Sequence, residues 1–419
     1  MSRSFSAAVK PVAATAGARK LELWILAALF FCLPLFEAPK NIFWGLYLVV
    51  WFANRARERD LGGRWDAWDT LIAVWIASGF VVAAFAGVRH SEWLGALDLV
   101  RYGSVLWLLK RSRLGEREIW WLLGALAAGT VLALLHGYWR MLIAHSRAFL
   151  ELKSVGFVNH SAIFLAIAVG ALAGFIFAYW ARLARTARAA GVVLLLAFIA
   201  SQIWMQSRAA AAAALAAILL LGLAWWPRSR RISAVAVGSV VVGLTIAVAA
   251  QVEVIKKHER LVAQANVLAF REGVWNAALV AWQRFPAFGI GMDNYRELND
   301  ELIRKWLGDL GRADDGTVFD TRWRHAHSLY LNTLAERGVV GLSALVAVLL
   351  LWLCRLAQHF PGRAGSDLAW ALWAASFSAW FVTVAVGLGN TTLHHEHALL
   401  AMLLLGLWLG SDRSGVPSQ

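Results

Sequence analysis

The sequence predicts an all-α polytopic membrane protein of about twelve transmembrane helices, with one large helical loop on one side. Three observations predict it. Of the 419 residues, 60% are hydrophobic, and mean hydropathy is +0.60, well outside the range of soluble domains. The apolar residues fall in long continuous runs without the alternation of a β-barrel. Tryptophan is abundant, with 24 residues, and pairs such as Trp120-Trp121 and Trp225-Trp226 mark the ends of runs, where an apolar ring with one polar donor suits the membrane–water boundary.

The expected spans are 22–36, 40–54, 69–87, 95–110, 118–139, 158–181, 189–206, 209–226, 232–252, 328–354, 367–388 and 396–411. Each is long enough, or nearly so, to cross about 30 Å as a helix. The first two are short, and only Glu37-Ala-Pro-Lys40 separates them. No cleavable signal is expected, because the first apolar run follows a basic tail and reads as a span that stays. These spans group into a membrane portion 1–252, a loop 253–327, and a second membrane portion 328–419 that ends in a short tail.

Charge sets the expected orientation. The formal charge of +14 admits nucleic acid as a partner. The cations instead lie in alternate short connections: Arg55/Arg57/Arg59/Arg64, Lys110/Arg111/Arg113/Arg117, Arg182/Arg185/Arg188, Arg228/Arg230/Arg231 and Arg355/Arg363. With the tail residues Arg3, Lys10, Arg19 and Lys20 they all fall on one side of a twelve-span chain. The positive-inside rule makes that side, and both termini, cytoplasmic. No nucleic-acid role is needed. The two cysteines, Cys32 and Cys354, lie within apolar runs and form neither a disulfide framework nor a CxxC site.

The long loop then faces the opposite side, which in a bacterium is the periplasm or its equivalent. Its first part carries Lys256-Lys257-His258-Glu259-Arg260 and an amphipathic run with Leu261, Ala265, Leu268, Val274, Trp275 and Leu279, as expected of helices lying on a membrane surface. Pro286 ends the run, and Gly289-Ile-Gly291 makes a turn. Residues 293–310 read as helical. Residues 311–324 read as irregular, with carboxylates at Asp314, Asp315 and Asp320. These either hold a divalent cation or are solvated loop charge.

Ionisable groups collect at the outer ends. His327 opens the tenth span, eleven residues before Gly338. An imidazole at a membrane boundary titrates near neutrality, so it suits a general base that takes a proton from a hydroxyl. A satisfied interfacial histidine is the alternative, and His325 is the second candidate base. Arg101, Arg208 and Arg271 are outward arginines, against the charge bias. A guanidinium fork suits phosphate oxygens, so their convergence would bind a diphosphate. Pairing of Arg101 with Asp98, snorkelling of Arg208 to headgroups and a surface-helix charge at Arg271 are the competing roles. Arg140 and Arg147 read as lipid anchors. His394, His395 and His397 cluster around Glu396 in a spacing that matches no HExxH or zinc pattern, so no metal is expected there. Packing or a polar cavity wall is the expected role. Tyr330, Asn332, Glu336 and His160 are further candidates.

Three local patterns carry a resemblance. They are Arg271-x-x-x-Trp275 followed by Pro286-x-x-Gly289-Ile-Gly291; His327-x-x-Tyr330-Leu331 with Glu336, Gly338 and Gly341; and Ser207-Arg208 at the start of a span. Over residues 150–410 the chain resembles the O-antigen ligase and O-antigen polymerase superfamily of bacterial membrane glycosyltransferases. One departure is Ala212, where relatives tend to have leucine. The resemblance implies a GT-C-type fold, a glycan donor on undecaprenyl diphosphate, a lipid A–core acceptor for a ligase, and no cofactor. It also implies that Arg208 and Arg271 hold the diphosphate while His327 activates the acceptor in an inverting, metal-independent transfer at the periplasmic face of the inner membrane. The short 140–157 loop favours a ligase over a polymerase, which often has two weighty outer loops. A protein O-oligosaccharyltransferase often carries more periplasmic sequence. A transporter or flippase would be expected to show an internal repeat, and none is seen.

Overall fold

A computed structural model describes residues 16–232, 234, 237, 238, 240, 267–312 and 316–413. Among these the chain is all-helical, with no strand. The helices are α1 (Ala16–Cys32), α2 (Glu37–Glu58), α3 (Ala67–Ala84), α4 (Glu92–Arg111), α5 (Glu116–Tyr138), α6 (Val158–Tyr179), α7 (Arg185–Trp204), α8 (Arg208–Trp225), α9 (Val267–Arg284), α10 (Asp300–Asp309), α11 (Leu329–Gln358), α12 (Asp367–Gly387) and α13 (His395–Arg413). Eleven of the twelve expected spans appear as helices. The ninth, 232–252, lies largely outside the described residues, as do Lys256–Arg260, Leu261, Ala265, Asp314 and Asp315. Seven of the helices are long and apolar enough to cross a membrane. This is a multi-pass membrane protein.

The boundaries shift where local chemistry decides them. Residues 33–36, rather than 37–40, make the turn between α1 and α2. Pro39 sits in the first turn of α2, where its missing N–H costs no hydrogen bond. Residues 293–310 are not one helix. Tyr295–Glu297 is a short 3-10 turn, and the Asn299 side chain then caps α10 by accepting from Leu302 N–H.

The bundle is built around α6. Its residues 160–170 are all buried, the expected fate of a helix apolar on every face. It packs against α7, α8, α12 and α13, while α13 packs on α4, and α4 on α3. On the arginine-rich side, Asp69 at the start of α3 is buried between Lys110 and Arg111 of α4, each 2.7 Å away. This fastens the two helices together where charge neutralisation makes burial tolerable.

The other side is organised by a break in α11. Gly338 has φ 58° and ψ −162°, nine residues after the helix begins. The segment 286–291 docks into that break. Ile290 N–H donates to Ala335 O (2.9 Å), Gly291 N–H to Glu336 O (2.9 Å), Val339 N–H to Pro286 O (2.9 Å) and Val340 N–H to Ala287 O (3.1 Å). The far edge of the segment accepts from Gly87 N–H (3.0 Å, at Gly289 O) and Val88 N–H (3.1 Å, at Ile290 O). Four backbone groups at the break are thus claimed by this segment. The two glycine motifs read in the sequence are the two halves of one joint. A Cβ on Gly289, itself at φ 67°, would stand 2.5 Å from Ala335 O. One on Gly338 would meet the Ala287 carbonyl.

Gly338→Ala is therefore expected to lose about 1–3 kcal/mol from backbone strain alone, read as a lowered unfolding midpoint in detergent. An unchanged midpoint would mean the break is not needed.

α9 lies along α11 and α10, with Val274, Ala277, Ala278 and Ala281 buried. The described part of the expected amphipathic run therefore packs on protein.

Candidate active site

The start of α6 meets the loop segments 322–327 and 390–391 around a cavity of about 280 Å³. Its walls include Asn159, His160, Arg324, His325, His327 and Asn390. That volume lies at the small end of ligand pockets, ~300 Å³ and above. It has room for part of a large substrate, with the remainder left outside the protein.

His327 stands just before α11, capped at Ser328, whose Oγ accepts from Leu331 N–H. Its backbone is left-handed, φ 48°, an uncommon conformation for a side-chain-bearing residue that often marks a functional site. Asn332 helps hold it there. Its Oδ1 accepts from Ala326 N–H (2.9 Å), and its Nδ2 donates to Glu336 (3.0 Å). Glu336 in turn accepts from Tyr295 N–H (3.3 Å). Asn332 and Glu336, candidates for chemistry in the sequence, thus position the backbone between His325 and His327 without lining the cavity. Tyr330 donates to Val384 O (3.2 Å) and packs in a separate apolar cluster.

The His327 ring lies edge-on to Trp323, with centroids 4.8 Å apart. Its Nε2 is buried and has no hydrogen-bond partner among the described residues. Burial chiefly, and the charge of Arg271, hold its pKa below the ordinary 6.5, against an Asn390 hydrogen bond and the Asp320 carboxylate. Neutral imidazole with an open nitrogen is the form that accepts a proton. Burial pushes His325 down further, to about 4, with the charge on His327 adding to the effect.

Arg271 reaches this site from α9. Its Nη1 lies 2.9 Å from where a Cβ on Gly389 would stand, so the glycine leaves space for the guanidinium next to Asn390. Arg271 is exposed. Arg208 is exposed at the start of α8 and makes no ion pair among the described residues. It belongs to the same end of the bundle. Gln202, six residues earlier, donates to Ala162 O at the start of α6 (3.0 Å). Arg101 is already engaged, with Asp98 at 2.7 Å and Asn41 at 3.0 Å. Its structural alternative is the arrangement present, although its charge still acts on His394.

The histidine cluster joins the same region. The His160 ring centroid is 5.9 Å from His325, 6.0 Å from His394, 5.2 Å from His395 and 5.3 Å from His397. Beside it Glu396 pairs with Lys40 of α2, and Ser154 Oγ donates to the same carboxylate at 3.2 Å. Asp320 is occupied by Arg322, through contacts of 3.0 and 2.8 Å, and by Trp323 N–H (3.2 Å). That favours loop structure over cation binding for this carboxylate. Sequence reasoning missed Asn390, Trp323 and Lys40. The polar run Asn390-Thr-Thr392 at the end of an apolar span was the available signal for the first.

Residues 192–346 match the family model described as O-antigen ligase. This segment is similar to the O-antigen ligase family. The match spans Arg208, Arg271, the 286–291 joint, His327 and Gly338, and supports a transferase of the O-antigen ligase or polymerase type. Among curated proteins, none matches the chain. His160 and the 394–397 cluster lie outside the matched segment.

Proposed function

We propose that the protein is an O-antigen ligase. It transfers a glycan from undecaprenyl diphosphate to a sugar hydroxyl of lipid A–core at the periplasmic face of the inner membrane. The observation that carries this reading is the nearness of His327, in the cavity wall, to Arg271, which lies against Gly389 beside Asn390 and whose charge acts on His327. A proton acceptor and a phosphate-binding fork are the two groups such a transfer needs.

His327 Nε2 takes the proton of the acceptor hydroxyl. That oxygen attacks the anomeric carbon, the bond from that carbon to the diphosphate oxygen breaks, and undecaprenyl diphosphate leaves with the bond's electron pair. One displacement inverts the anomeric centre. Negative charge grows on the leaving diphosphate, so arginines fixed beforehand stabilise the transition state more than the ground state. Arg271 supplies that charge from beside Gly389. Arg208 supplies it from the start of α8, where helix N–H groups add to the attraction for an anion.

The sign of the pH dependence follows from the base. Because the His327 pKa lies below 6.5, imidazole is neutral at pH 7, and the rate should stay level down to about pH 6.5 and fall below it. A rate–pH profile without that acidic limb, or a limb that persists in His327→Ala, would assign the proton to another group.

The chemistry uses charge already on the protein, so transfer is expected to persist in EDTA. Complete loss that added divalent ion restores would contradict this. The acceptor is tested by offering purified protein the lipid-linked glycan together with lipid A–core and resolving the products on a gel. Glycan-capped lipid A–core is expected. Longer undecaprenyl-linked chains beside unmodified lipid A–core would make the protein a polymerase.

A further inference from the structure

His160 in the cavity wall also belongs to a histidine cluster that the transfer chemistry does not use. His160, His394 and His395 each present a ring nitrogen within 4.8 Å of the others. They arrive from different places. His160 sits in the first turn of α6, and His394 and His395 at the start of α13. The chain is bent to bring the last two together. Leu393 and His395 both have left-handed backbones, φ 53° and 49°, and the His394 and His395 rings are only 3.8 Å apart. Two strained residues within three positions point to a constrained arrangement.

The unpartnered atoms give a second, independent observation. Nδ1 of His160 and Nδ1 of His394 are buried without a hydrogen-bond partner among the described residues, and His160 is 6% exposed. Buried polar atoms are ordinarily satisfied. Two buried imidazole nitrogens left without a partner are what a cation would satisfy.

We propose that His160, His394 and His395 form a binding site for a late first-row divalent cation of the zinc, cobalt or nickel class. Three imidazoles with no carboxylate among them select such ions over magnesium or calcium. Three protein ligands leave a fourth position for water or a substrate oxygen. Zinc–nitrogen bonds of about 2.0–2.1 Å draw the three nitrogens to roughly 3.3 Å from one another, a contraction that rotation of the rings supplies. Glu396, next in the chain, places a carboxylate nearby, held by Lys40 and Ser154. Binding ties the start of α6 to the start of α13. No step of the transfer runs through the ion. The site was hidden in the sequence because its ligands are far apart along the chain and follow no helical spacing.

The test uses full-length protein in detergent, free of any histidine tag, with Zn²⁺ as the probe. After dialysis, one zinc per chain is expected, undisplaced by excess Mg²⁺, with X-ray absorption showing imidazole nitrogens around the metal. His160→Asn and His395→Gln should each weaken zinc binding by more than about 100-fold, since even an outer-shell partner is worth 10–100-fold. His359→Gln, at the far end of α11, should bind as the unaltered protein does. Unfolding midpoints without metal identify any variant that has lost its fold, and the other variant then decides. Zinc far below one per chain, unchanged affinity in a folded variant, or absorption without imidazole would overturn the proposal.

Discussion

His327→Ala is expected to reduce transfer by about 10²–10⁴-fold, the usual worth of a positioned general base, while the protein still folds and still binds the lipid-linked donor. His327 precedes α11, its backbone is held by the contact from Ala326 N–H to Asn332, and its Nε2 is open. Removing the ring takes away the proton acceptor without touching the joint at Gly338 or the α9–α11 contact. Donor binding rests on the arginines, so the loss should fall on turnover. His325 is two residues away but is pushed to about 4 by burial, which makes it a weaker base and a poor substitute. Near-normal turnover in His327→Ala would remove His327 from the chemistry. Loss of donor binding alongside turnover would recast it as a binding residue.

Arg271→Lys is expected to lose about 10²–10³-fold, as for removal of one preorganised donor in other enzymes, despite keeping the charge. A guanidinium offers two parallel N–H groups to a phosphate, whereas an ammonium offers a point charge on a flexible stem. The Arg271 guanidinium lies against Gly389, where a Cβ would stand 2.9 Å from Nη1. The shorter lysine would not reach the same position. A kinetic separation is informative. A donor KM little changed with kcat much reduced would place the interaction in the transition state. Full activity in the lysine variant would reduce Arg271 to a general electrostatic attraction.

Much of the fold was legible because membrane helices announce themselves locally. Continuous apolar runs, tryptophan at their ends and arginine in alternate connections are all short-range signals. The joint at Gly338 was only half legible. Both glycine motifs stood out, but nothing in a linear sequence says that segment 286–291 inserts into a helix far beyond it, since the pairing is between backbone groups that every residue possesses. The site divides in the same way. His327 was readable from its place at a boundary. Asn332 and Glu336 looked chemical because polar groups are conspicuous in an apolar helix, yet they fasten the loops at 295 and 326. Asn390 was overlooked because an asparagine in a turn is ordinary until His327 is seen beside it. The convergence of His160 with His394 and His395 is a property of tertiary packing alone.

The central claim is that this outer cavity performs covalent glycan transfer, and one measurement meets it most directly. Purified protein in detergent, with no sealed membrane or potential, is given undecaprenyl-diphosphate-linked glycan and lipid A–core, and both products are followed together. The account predicts release of undecaprenyl diphosphate in step with glycan-capped lipid A–core. No product of either kind, in protein that binds the donor, would contradict it and leave a carrier of lipid-linked glycan as the better description.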